Sequence, residues 1–249
     1  MKDLLKRLDV KILILSRSRF NSITTNELLP SFIEILVPET QKSDYEKAVK
    51  NPIITIPDEI KGLGEVRNWV LDHFKERIVI MIDDDIKYVY RLTGVKSERV
   101  EDKDEVLDVI VNAAVMADDA GAKVFGFNQT DIRKFNGAEP FSLCGWLGCV
   151  IGVIGREHRF RNDKYKVDID FCMKCLLTDR IIWQDNRYFF SQSRDDNVGG
   201  NSEFRTAKDF EKSLDSLQKK WGKYLVVGTH KNQIRIRTNI QRKQRLKYE

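Results

Sequence analysis

The chain has 249 residues, with 43 Lys+Arg against 38 Asp+Glu for a formal charge of +5, and is 41% hydrophobic and 33% charged. That balance is too apolar for a disordered chain and too charged for a membrane-embedded one. Seven basic residues and one acid between His230 and Glu249 leave 36 basic and 37 acidic groups in the other 229 residues, so the positive charge is a local C-terminal feature suited to one anionic contact.

The longest near-apolar stretch, Leu147 to Gly155, is far short of the roughly 20 residues that span a bilayer. The N-terminus does not read as a secretion signal, because Lys2, Asp3, Lys6, Arg7, Asp9 and Lys11 interrupt it. A cytoplasmic chain is expected. Val10–Leu15 is a compact apolar strand ended by Ser16-Arg17-Ser18-Arg19. Thr25–Ser31 reads as a short helix, Ile33–Val37 as a second strand closed by Pro38, Lys42–Lys50 as a helix and Ile53–Ile56 as a third strand. Gly62 to Phe74 is a helix opened by glycines, and Arg77–Ile82 an apolar strand running into Asp83-Asp84-Asp85. This alternation predicts an α/β fold, with a mainly parallel Rossmann-type sheet covered by helices. Right-handed crossovers put Ser16–Arg19, Pro38–Glu39 and Asp83–Asp85 on one sheet edge, where such folds bind ligands.

The second half is more mixed. Asp102–Ala120 is a long amphipathic helix, Lys123–Phe127 a strand, Leu143–Ile154 a strand pair with Gly-rich bends and Asp168–Leu177 a helix. Ile181–Phe190 is extended, Asp195–Phe204 a Gly-rich loop and Ala207–Trp221 a helix, followed by short strands at Tyr224–Val227 and Gln233–Arg237. With no Pro/Gly/Ser linker, the reading is a single domain. About residues 1–100 make up the parallel half, about 101–229 a mixed, partly antiparallel half, and 230–249 a basic segment.

Three clusters carry chemistry. Three adjacent carboxylates at a strand end repel one another or take up protons unless a cation joins them. Mg²⁺ or Mn²⁺ resolves this and completes its shell with phosphate oxygens. The glycines opening the helix at Gly62-Leu63-Gly64 allow close backbone approach, and its N-terminus favours phosphate, with Arg67 in position to pair with a diphosphate. Ser16-Arg17-Ser18-Arg19 adds two hydroxyls and two guanidiniums. Cys144, Cys149, Cys172 and Cys175 have a spacing that could be drawn as a zinc site, but their apolar surroundings read as free buried thiols.

Arg67-Asn68 ahead of the strand, and Asp83-Asp84-Asp85 after it, resemble the glycosyltransferases of the GT-A fold. A closer resemblance is to the TET-associated glycosyltransferases of phages. It rests on Ser16-Arg17-Ser18-Arg19-Phe20 with Thr24 or Thr25 and Leu28, on Val37-Pro38-Glu39 followed by Tyr45, and on Gly199-Gly200 with Arg205 ahead of a helix. Members of that family are implicated in placing sugars on hydroxymethylated pyrimidines in DNA. The resemblance implies a metal-dependent transferase moving a sugar from a nucleotide-diphosphate sugar, with UDP the expected carrier, to 5-hydroxymethylcytosine in DNA. If phage-encoded, it would work in the host cytoplasm.

The site residues that follow are Asp83 and Asp85 on the metal, with His230 a third ligand as in some GT-A enzymes. The donor would be held by Ser16, Arg17, Ser18, Arg19, Glu39, Gly64, Arg67, Asn68 and Asp84. A base is expected at the helix start Val167-Asp168-Ile169-Asp170, with Asp170 facing inward and Asp168 as the cap. Trp183, with Tyr188, Phe189 and Phe190, could stack on a flipped base or pack in the core. Gly199, Gly200, Arg205, Arg235 and Arg237 complete the acceptor side. Competing readings are a saccharide or surface-polymer acceptor, a nucleotidyltransferase, and a silent nucleic-acid-binding domain using the basic tail. The nucleotidyltransferase reading lacks a glycine-rich loop at Ser16–Phe20.

Overall fold

Runs that are apolar on both faces, such as Ile78–Ile82, can be satisfied only inside a sheet covered on both sides. The computed structural model describes residues 1–93, 96–129, 139–163, 165–192, 206–230, 233–238 and 240, with backbone alone at 207, 229–230, 233–235 and 237–238. It contains helix α1 (Lys2–Arg7), strand β1 (Val10–Leu15), β2 (Glu34–Pro38), α2 (Lys42–Ala48), β3 (Ile53–Ile56), α3 (Leu63–His73) and β4 (Ile78–Asp83). A hairpin-like pair follows, β5 (Ile86–Thr93) and β6 (Lys96–Val100). Then come α4 (Lys103–Asp119), β7 (Val124–Asn128), β8 (Phe141–Ser142), β9 (Val150–Ile154), α5 (Val167–Thr178), β10 (Trp183–Gln192), α6 (Ala207–Trp221), β11 (Leu225–His230) and β12 (Gln233–Thr238).

The main sheet runs β3-β2-β1-β4-β9-β7-β10-β5-β6, with β8 on β10. The pairs among β3, β2, β1 and β4 are parallel. Antiparallel β9 lies between β4 and β7, β7 and β10 are parallel, and β5 and β6 close the edge antiparallel. The expected strand pair within Leu143–Ile154 is instead the single strand β9, and Leu143–Gly148 carries no strand. The amphipathic helix α6 and the separate hairpin β11–β12 form a C-terminal layer.

Strand alternation divides the core. Ile12, Ile14, Ile80 and Ile82 pack with α4 residues on one face. Leu13, Val79, Met81 and Ile151 pack with residues of α3, α5, α6 and the C-terminal hairpin on the other. Leu15 is in register with Leu36 on one side and Asp83 on the other. The three polar strand ends therefore share one edge, as the crossover rule requires.

Candidate active site

The period of two in β4 decides the fate of the acidic triplet. Asp84 follows Ile80 and Ile82 onto the α4 face and is buried, at 4% exposure. Ser16 Oγ donates to its Oδ2 at 2.5 Å, and Arg19 Nη1 donates to its Oδ1 at 2.6 Å. Burial pushes the Asp84 carboxyl up, and Arg19 pulls it back. Tyr45 Oη lies 2.6 Å from Ser16 Oγ and accepts from the Arg19 amide at 3.0 Å. Ser18 takes left-handed backbone at φ 56°, held there by a double hydrogen bond with the Gln41 side chain. Thr25 donates to the Asp83 carbonyl and accepts from the Ile86 amide, clamping the turn. Asp84, expected at the donor, is therefore turned inward and anchors the loop after β1.

Asp83 and Asp85 face the crevice. One amide nitrogen, Gln192 Nε2, donates to Asp83 Oδ2 at 2.9 Å and to Asp85 Oδ1 at 2.8 Å. Arg19 Nη1 also reaches Asp85 at 3.2 Å. Arg67, at 2% exposure, is 3.6 Å from Asp83 and has its guanidinium 5.3 Å from the Phe160 ring centre. Its Nε and Nη1 have no hydrogen-bond partner among the described residues. Burial, opposed by Arg67 and reinforced by Asp85 and Asp84, pushes the Asp83 carboxyl up to about 7. The side chain still keeps 31% exposure, so a ligand can reach it.

These residues fit a hard divalent ion. Two carboxylate oxygens converge on a point that a single atom touches, and the buried guanidinium has N–H groups left for phosphate oxygens. Gln192 carried no sequence signal: a glutamine at a strand end belongs to no pattern, and its partners lie more than 100 residues away.

The glycine at position 64 serves packing rather than phosphate. A Cβ there would sit 1.9 Å from the Arg161 carbonyl oxygen, so Gly64 lets α3 press against the segment carrying Phe160. Gly64→Ala is expected to cost roughly 1–3 kcal/mol of stability, measurable as a lower urea midpoint. Asn68 brackets the same segment, donating to the Phe160 carbonyl at 3.0 Å and accepting from its amide at 2.9 Å. Its amide is spent on positioning rather than on a donor. Arg17 Nη2 donates to the Ile60 carbonyl at 2.7 Å, tying the β1 loop to the entry of α3. Glu39 is exposed just beyond β2.

Helix α5 separates the two base candidates, in the reverse of the expected order. Asp170 is fully buried. Lys220 Nζ and Trp221 Nε1 donate to its Oδ1 at 2.7 and 3.0 Å, and Lys174 Nζ is 3.3 Å from Oδ2. It staples the end of α6 to α5 and is not available as a base. The cap is Lys166, at φ 53°, rather than Asp168. Asp168 is partly exposed and makes no hydrogen bond or ion pair among the described residues. One turn on, the Cys172 thiol is pushed up to about 12, chiefly by burial.

Trp183 is core, at 7% exposure and stacked on Phe141 at 4.8 Å. Phe189 stacks on Tyr90, and Phe190 packs against Phe127. The aromatic strand is therefore packing material, not a base platform. All four cysteines are free, three of them buried. They do not gather into a four-thiol site. Among the described residues the only group of three or more His, Cys, Asp or Glu ligands that converges is His158, Cys175 and Asp179, where His158 and Asp179 already pair at 2.6 Å. Gly199, Gly200 and Arg205 lie outside the described residues. His230 ends β11, and Arg235 and Arg237 pair with Gly228 and Val226, but the side chains of these three residues lie outside the description.

A parallel sheet ending in a carboxylate pair beside a buried arginine, with an antiparallel strand inserted next to it, has the architecture of the GT-A fold. Solved structures agree on the fold. The chain is similar to glucosyl-3-phosphoglycerate synthase from Mycobacterium tuberculosis in complex with Mn²⁺, UDP and glucosyl-3-phosphoglycerate, at 10% identity over 95% of this chain and 88% of that chain, with TM-score 0.52. It is also similar to S. aureus TarS 1-349 in complex with UDP-GlcNAc, at 13% identity and TM-score 0.51 over 84% of this chain, of which it spans 65%. No curated protein matches. The profile of the TET-associated glycosyltransferases matches residues 10–200, and the chain belongs to that family.

Proposed function

We propose that this glycosyltransferase moves a sugar from a UDP-linked donor to the hydroxyl of 5-hydroxymethylcytosine in DNA, with Mn²⁺ or Mg²⁺ at Asp83 and Asp85. The observation that carries the donor side is the convergence of the Asp83 and Asp85 oxygens beside the orphaned N–H groups of Arg67. Family membership supports the acceptor, and the Mn²⁺ and UDP named for the mycobacterial synthase support the cofactor and carrier. A divalent ion here would supply positive charge against the diphosphate leaving group. Arg67 would share that task, fixed in advance by Phe160 and Asp83. Asp168 would take the proton from the acceptor hydroxyl as its oxygen attacks the anomeric carbon and the diphosphate departs.

The test incubates the protein with Mn²⁺, a panel of UDP-sugars and hydroxymethylcytosine-containing DNA, and reads the digested nucleosides by mass spectrometry. Donor hydrolysis or oligosaccharide products without a sugar-bearing nucleoside would overturn the DNA acceptor. The basic C-terminal segment is proposed to lie along acceptor phosphates. Because Ile236 and Ile240 are buried in the core, the clean truncation starts at residue 241 and removes Arg242, Lys243, Arg245 and Lys247. It should flatten the slope of log affinity against log salt by about 0.9 for every DNA phosphate that the segment neutralises. An unchanged slope would make the tail a bystander.

A further inference from the structure

Gln192 is placed by an irregularity. The register of β10 on β5 shifts between Ser191 and Gln192, so that Gln192 pairs with Ile86 beside the acidic turn. Bulges of this kind re-aim a side chain. Its single –NH₂ group spends one hydrogen on Asp83 and the other on Asp85. A primary amide has a donor end and an acceptor end of nearly equal size. Against two carboxylates only the donor end is stable. Against a cation held by those same two oxygens only the acceptor end is, because N–H hydrogens would point at positive charge. The terminal torsion of glutamine is broad and roughly two-fold, so exchanging the ends costs little.

We propose that Gln192 is a cation-coupled amide: when a hard divalent ion binds Asp83 and Asp85, its side chain turns over and offers Oε1 as a third, neutral protein ligand. This rests on the cation reading given under Proposed function. A neutral oxygen suits Mg²⁺ or Mn²⁺. It adds a ligand without adding a third negative charge facing the diphosphate. Arg19, already committed to Asp84 and 3.2 Å from Asp85, offsets part of the existing charge.

The experiment titrates the full chain with Mn²⁺ alone and follows the electron paramagnetic resonance signal of the free ion. Gln192→Met keeps the length and apolar stem but removes both amide ends. It should weaken Mn²⁺ binding roughly tenfold, while Gln192→Glu should bind more tightly than the parent chain. Gln192→Met binding as tightly as the parent, or more tightly, would overturn the proposal, since the amide would then only compete for the carboxylates. If Gln192→Met does not fold, Gln192→Glu decides. Its melting temperature should rise more with Mn²⁺ than the parent's does, and an equal or smaller rise overturns the proposal. Asp85→Asn run alongside keeps the two readings apart. If it binds Mn²⁺ like the parent chain, the ion is elsewhere and the cation reading itself fails.

Discussion

Asp168→Asn is expected to lower the transfer rate by roughly 10²–10⁴-fold with an unchanged melting temperature, and Asp170→Ala to do damage of the opposite kind. The two carboxylates are two residues apart on one helix, yet they meet different surroundings. Asp168 is partly exposed, and nothing among the described residues binds its oxygens. Asp170 has no exposure and holds Lys220, Trp221 and Lys174. Removing one partner of a buried pair costs about 3 kcal/mol at the low end of its range. The low end applies because Lys220 and Lys174 remain partly exposed and can rehydrate. That corresponds to a melting temperature lower by roughly 6–12 °C in a chain of this size. Thermal melts and single-turnover rates on both variants check the assignment. A well-folded Asp170→Asn that loses transfer as fully as Asp168→Asn would return the base to Asp170.

The reversal shows where sequence reasoning stops. Strands whose apolar runs are bounded by turn residues were legible, β1, β3 and β4 among them, and with them the crossover rule placed the site edge. The pair β5–β6 was not, because Lys96-Ser97-Glu98-Arg99 is an exposed edge strand with no buried face to print a period. The two aspartates of α5 are chemically identical. What separates them is Lys220 and Trp221, about fifty residues later, brought in by a helix whose docking no local pattern encodes. Gly64 was legible as a position needing closeness, but the object it approaches is the Arg161 carbonyl. A glycine declares a missing Cβ without naming its neighbour. Gln192 depends on a register shift, a property of two paired strands rather than of either one.

The same alternation that buries Asp84 predicts that the acidic triplet will not respond uniformly to mutation. Asp83→Ala and Asp85→Ala each remove one of the two carboxylates that converge on Gln192 and, in the proposed enzyme, on the cation. Each should lower transfer by on the order of 10²–10³-fold or more and lose the restoration by Mn²⁺ that the parent chain should show after chelation. Asp84→Ala should keep its response to Mn²⁺ and lose stability instead. It deletes the acceptor for both Ser16 and Arg19, and hydrogen bonds to a charged group contribute about 1.5–3 kcal/mol each. Arg19 retains Asp85 at 3.2 Å, which limits the loss. The failure should be local first, in the loop Ser16–Arg19, because Tyr45 holds that loop through the same two residues and Gln41 through Ser18 between them. Hydrogen exchange would then report faster opening at Ser18 and Arg19 than in β4. An Asp84→Ala protein that is fully stable but blind to Mn²⁺ would place the middle carboxylate on the ion and refute the division of the triplet between two faces of the sheet.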